Sequence, residues 1–99
     1  MDRVILDRRR DLVLTTVNDW AVQDLASRMR QADRDEVWAS HRATPLEALT
    51  RSVQRSGGIC WSVERPNRVV AIFGCAVVSL LGETGTPWLL GSDEIADIR

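Results

Sequence analysis

The sequence predicts an α+β domain in which helices pack on a mostly antiparallel sheet. Three helical patterns fall together between residues 19 and 55, after one short β-branched stretch. From residue 59 onward the apolar period changes to that of strands. The resulting order is strand, three helices, three meandering strands and the start of a last helix. A chain of 99 residues suits a single domain, residues 1–99, with a core that needs no staples.

The elements follow in order. Residues 1–11 stand apart as a flexible or edge segment. Within them Arg8-Arg9-Arg10 is bracketed by Asp7 and Asp11 and reads as a solvated turn or strand edge. Leu12 to Val17 is short and β-branched, a first strand. Asn18 or Asp19 can accept from the free amides of a first helical turn, so a helix is expected over 19–30, with Trp20, Ala21, Leu25 and Met29 at roughly helical spacing. A second, shorter helix is expected from Asp33. Asp33-x-x-Glu36 there resembles a capping box, and Val37 and Trp38 supply its buried side. Thr44-Pro45 is a cap followed by proline at the first helical position. Leu46, Leu49 and Val53 then share one face to about residue 55, and Ser56-Gly57-Gly58 ends the helix.

Residues 59–64 form the next expected strand, and 65–68 a turn in which Asn67 accepts the strained second position. Residues 69–78 are apolar on both faces, which places that strand centrally. Gly74 within it signals a bulge or a close approach by another group. Leu80 to Thr86 is a Gly/Thr-rich loop, and residues 87–91 are one more strand. Ser92 caps a final helix, with Asp93 and Glu94 in its first turn.

Composition excludes several classes. With 44% hydrophobic and 27% charged residues intrinsic disorder is disfavoured. The net charge is −1, every basic residue is an arginine, and these are dispersed among acids, so no nucleic-acid partner is expected. No secretory leader is recognised. The longest apolar run, 69–81, is shorter than the roughly 20 residues a membrane helix needs, so a soluble intracellular protein is expected. Two distant cysteines and one histidine make no metal site. Cys60 and Cys75 lie among apolar neighbours and read as structural thiols. His41 reads as a surface residue near a helix end. Asp33, Asp35, Glu36, Asp93 and Glu94 are explained by helix N-terminal placement, so no catalytic residue is assigned. Trp20, Trp38, Trp61 and Trp88 are scattered over helices and strands, which reads as core anchoring.

Several segments carry a resemblance: Leu25-Ala26-x-Arg28-Met29-Arg30-x-Ala32-Asp33-Arg34-x-Glu36-Val37-Trp38-Ala39, Pro45-x-Glu47-Ala48-Leu49, Ala71-Ile72-Phe73-Gly74 and Pro87-Trp88-Leu89-Leu90-Gly91. On these the chain resembles the N-terminal half of the GNAT (N-acetyltransferase) fold. More narrowly, it resembles phage and prophage proteins related to an internal virion protein of short-tailed phages. The resemblance implies a truncated GNAT-like β-α-α-α-β-β-β-(α) plan and a place in the host cytoplasm or the virion interior. GNAT enzymes hold the acetyl-CoA pyrophosphate in a Gln/Arg-x-x-Gly-x-Gly/Ala loop, an anion site at a helix N-terminus. The equivalent stretch is Gly91-Ser92-Asp93-Glu94-Ile95-Ala96, with one glycine and two acids that oppose phosphate. No tyrosine is present to act as the usual general acid.

The expectation is therefore a non-enzymatic, acyltransferase-like protein without a cofactor. It would work through a homodimer or another protein docked on the last-strand edge near Trp88. The alternative is an acetyl-CoA-dependent N-acetyltransferase fragment or half-site, for which Leu89, Leu90, Gly91 and Ser92 are the cofactor-binding candidates. A small-molecule site at 82–91 is a third class.

Overall fold

The computed structural model describes residues 3–77 and 85–98. Five strands, β1 (Val4–Asp7), β2 (Leu12–Thr16), β3 (Cys60–Arg65), β4 (Arg68–Val77) and β5 (Gly85–Gly91), form one sheet in the order of the sequence, each antiparallel to its neighbour. Helices α1 (Asp19–Arg28), α2 (Gln31–His41) and α3 (Pro45–Ser56) connect β2 to β3, and a 3-10 helix, Asp93–Ile98, follows β5. The α+β class is thus as the sequence predicts. Within residues 3–11 lies the edge strand β1, turned back on β2 through the arginine run, whose Arg9 and Arg10 amides both donate to Asp7 Oδ1.

Helix ends obey local chemistry. Asn18 Oδ1 accepts the Ala21 N–H at 2.8 Å and starts α1. Thr44 and Glu47 form a reciprocal capping box at the start of α3. Gly57, at φ +55°, closes α3 in the left-handed conformation. The turn between β3 and β4 places Asn67 at φ +65°, as its side chain permits.

The helices cover one face of the sheet. Ala21 and Leu25 of α1, Met29 just after it, and Leu49 of α3 meet Val69, Ile72 and Leu90 there. A smaller cluster of Leu12, Val63, Val70, Ala71 and Ile95 lies on the opposite face. The two faces swap along β4 because of a bulge. Pairing runs Val63 with Ala71 and then Glu64 with Val69, leaving Val70 as the extra residue. Gly74 is needed for a close approach, since a Cβ there would lie 2.6 Å from the Ile59 carbonyl oxygen.

Several expectations are corrected. Trp20 and Trp38 are 45% and 54% exposed and Trp61 is only half-buried, so these three are not core anchors, whereas the half-buried Trp88 does pack against the main core cluster. The buried stripe of α1 is 21-25, continued by Met29 at its C-cap, and that of α2 is 33-37. Trp20 and Trp38 each sit one residue, about 100° of helical rotation, off it. Arg42 instead stacks on the exposed Trp38 ring at 5.5 Å. Leu46 is exposed as well, and α3 buries Ala48, Leu49 and Ser56. Helix α2 begins at Gln31, so Asp33 lies inside its first turn and is buried rather than capping. Ser92 donates its hydroxyl to the Val70 carbonyl at 3.1 Å instead of capping an amide. Cys60 is buried but Cys75 only partly so. The expected loop at 80–86 falls largely outside the described residues, and its last two members begin β5.

Candidate functional site

The four residues singled out for a cofactor lie at the end of β5, and the structure shows how their backbone is used. The Gly91 N–H donates to Asp33 Oδ2 at 2.8 Å, and the Gly91 carbonyl accepts the Arg30 N–H at 2.8 Å. Arg30 Nε holds the same Asp33 oxygen at 2.8 Å. The Ser92 N–H donates to the Val70 carbonyl at 2.9 Å. Two amides of the presumed phosphate-binding stretch are therefore engaged inside the fold. Leu90 is core, facing Ile72 on the helix side, while Leu89 faces Phe73 on the opposite side and is 46% exposed.

The two acids of this stretch differ in use. Asp93 is exposed, whereas Glu94 is gripped by arginines. Glu94 Oε1 accepts from Arg65 at 2.9 Å and Arg68 at 2.7 Å, and Oε2 lies 3.5 Å from Arg28. Arg28 also pairs with Asp24 at 2.6 Å and donates to the Val69 carbonyl at 2.8 Å. Asp24 in turn accepts the Val69 N–H at 2.8 Å. Burial works against the charged Asp24 carboxylate, yet hydrogen bonds from Arg28 and Val69, with the Arg28 charge, hold it below its ordinary range. The Arg28 guanidinium is pushed up by its hydrogen bond to Asp24 against the opposing effect of burial. This network fastens α1 and the 3-10 helix to the bulged part of β4, with three guanidiniums set around two carboxylates.

Comparisons with protein-family models, curated proteins and solved structures found no match.

A cleft of about 340 Å³ opens beside the outer edge of β5, walled by the second half of α2 and by α3. Its floor includes Val37, Ala48 and Leu90 with the half-buried Trp88. The indole Nε1–H donates to Ser56 Oγ at 2.8 Å, and the Ser56 hydroxyl donates onward to the Ser52 carbonyl at 2.8 Å, so the ring is fixed to α3. Exposed Glu36 and His41 lie on the α2 side, and Arg51 and Arg55 on the α3 side.

The strand edge in this cleft has a definite polarity. In an antiparallel ladder, residues alternate between turning their backbone groups to the neighbour and away from it. Gly91, bonded outward to Asp33 and Arg30, sets that alternation, so Leu89 and Pro87 also turn outward. Leu89 offers an N–H and a carbonyl, and Pro87 a carbonyl with no N–H. Beyond Gly91 the α1–α2 connection continues the pairing as an antiparallel bridge between Met29 and Ser92.

His41, the last residue of α2, is exposed on this cleft. Burial pushes the Cys60 thiol up, away from the thiolate a nucleophile requires. Among the described residues there is no cluster of three or more His, Cys, Asp or Glu that could hold a metal ion, and no helix is long and apolar enough to cross a membrane. The sequence reading passed over the cleft arginines and the Asp24–Arg28–Glu94 network. The first carries a visible signal, since Arg51 and Arg55 are spaced i, i+4 and share a helix face. The long-range ties of Glu94 have no local signature.

Proposed function

We propose that the protein acts through protein–protein contact along the outer edge of β5, as a non-enzymatic, GNAT-like phage or prophage protein of the host cytoplasm or virion interior. The observation carrying this reading is the outward-turned Leu89 N–H and carbonyl on β5, which has no further strand beside it among the described residues and borders a ready cleft. Backbone groups in that position are a template for an added strand. The helical layer over an antiparallel sheet supports the GNAT-like reading, and the phage assignment rests on the sequence resemblance. The engaged amides of Gly91 and Ser92 weigh against the acetyl-CoA alternative, because they are the donors a pyrophosphate would need.

Amide hydrogen exchange with and without a candidate partner tests the reading. Protection of the Leu89 amide on complex formation is expected. Saturable amide shifts over 90–95 on titration with acetyl-CoA, with Leu89 exchange unchanged by partners, would transfer the function to the cofactor-binding alternative.

A further inference from the structure

Resting on that reading, we infer that the edge of β5 takes an extended segment in which acidic and apolar residues alternate. A strand laid against β5 points its side chains alternately to the two faces of the sheet. On one face it would neighbour Leu89, whose cross-strand partner is Phe73, itself paired with Trp61 at a ring-centroid distance of 5.8 Å. All three are exposed or only half-buried, so that face favours apolar residues. On the other face it would neighbour Trp88 and the cleft, with Arg51 and Arg55 on the α3 wall. That face favours carboxylates, whose methylene stems can lie along the indole while their oxygens reach the guanidiniums.

The charges in the cleft support this assignment. No carboxylate among the described residues lies within 4.0 Å of Arg55, and Arg51 has only the half-exposed Glu47 at 3.7 Å. Among the described residues, Glu36 on the opposite wall is the one acid that lines the cleft. Arg55 is therefore the cleft guanidinium left without a carboxylate among the described residues, and Arg51 is held only by an exposed pair, so an acidic segment would find one free and one weakly held guanidinium. The available backbone groups set the length. Leu89 and Gly85 contribute two hydrogen bonds each and the Pro87 carbonyl a fifth, while Gly91 is already engaged. The occupant is accordingly a short strand that stops at the Asp33–Gly91 tie.

The probe is a capped seven-residue peptide of alternating Val and Glu, titrated into the full chain and followed by backbone amide shifts and Leu89 exchange. A peptide with Lys at each Glu position is the control. The acidic peptide is expected to shift Leu89 and Leu90 and to slow Leu89 exchange. The double variant Arg51→Gln/Arg55→Gln is expected to weaken it about fivefold to tenfold, the range of two solvent-exposed ion pairs. Both arginines are exposed, and circular dichroism checks that α3 persists in the variant. Equal binding of the Lys peptide, or of the acidic peptide to the double variant, overturns the acidic assignment and leaves edge docking standing. Failure of both peptides to touch Leu89, with that amide unprotected, overturns edge docking itself. Protection of Leu89 without peptide, with a dimer by sedimentation, gives the edge to a second copy and overturns the acidic occupant.

Discussion

Asp24 and Val69 are joined by a 2.8 Å hydrogen bond from the strand amide to the helix carboxylate, across 45 residues of sequence. The bond lies where β4 has lost its neighbour. Pairing with β5 ends at Ala71 and Gly91, so the Val69 amide and carbonyl have no strand on that side. Asp24 and Arg28, one helical turn apart, take the place of the missing strand by answering the amide and the carbonyl respectively.

This arrangement makes stability pH-dependent in a defined direction. The Asp24 pKa is lower in the folded chain than its ordinary 3.8, so folding favours the ionised form. Its contribution is full at neutral pH, begins to fall as pH drops toward 3.8, and is lost below the folded value. Asp24→Asn is expected to lower stability at pH 7 by about 1–3 kcal/mol and to flatten the acid limb between roughly pH 5 and 2. Chemical denaturation across that range checks it. An unchanged acid limb would show that other carboxylates govern the transition.

Glu94→Gln removes the anion around which Arg28, Arg65 and Arg68 gather. The amide still accepts hydrogen bonds but leaves three guanidiniums close together without their shared counter-charge. A loss of about 1–3 kcal/mol is expected, with faster amide exchange in the 3-10 helix and little change in α3. Denaturant midpoints and hydrogen exchange measured together separate this local release from a global loss.

Gly74→Ala is expected to destabilise by at least about 1–3 kcal/mol, the range for overpacking. The new methyl would meet backbone, the Ile59 oxygen at 2.6 Å and the Cys60 Cα at 3.1 Å, which cannot rotate aside. A melting temperature within a degree or two of the parent would mean that β3 and β4 can separate locally at little cost.

The tryptophans supply an optical test. Single-tryptophan variants keeping Trp20 or Trp38 are expected to be quenched freely by acrylamide, and those keeping Trp61 or Trp88 much less. In Trp88→Phe the hydrogen bond to Ser56 is lost at about 0.5–1.5 kcal/mol, because the Ser56 hydroxyl keeps its own acceptor at Ser52.

These cases also mark how far the chain is legible by local chemistry. Asn18, Thr44, Gly57 and Asn67 act within three or four residues of themselves, and each does what its side chain or its lack of one predicts. Gly74 was readable as a bulge or a close approach, the two reasons for a glycine inside an apolar strand, and the close approach to Ile59 is the one present. The tryptophans misled because aromatic size suggests burial while the helical phase decides it, and Ala21 and Val37 hold the buried positions beside Trp20 and Trp38. The bulge at Val70 was invisible for a related reason. Val69, Val70 and Ala71 are all apolar, so no alternation shows which one is extra. The cleft was only half readable. The edge near Trp88 followed from its place as the last strand, but the α2 and α3 walls that shape it come from tertiary packing.

The tie between Asp33 and Gly91 has a consequence for a chain emerging from the ribosome. Helix α2 appears early, yet its buried carboxylate acquires its strand partner only when residue 91 arrives, 58 positions later. Until then Asp33 holds Arg30 alone, and the wall it anchors has no strand to stand against. The three helices can form as they are made, while α2 reaches its final seat only after residue 91 has been synthesised. A nascent chain arrested before Trp88 should therefore carry α1 and α3 in near-final form and α2 as an undocked helix.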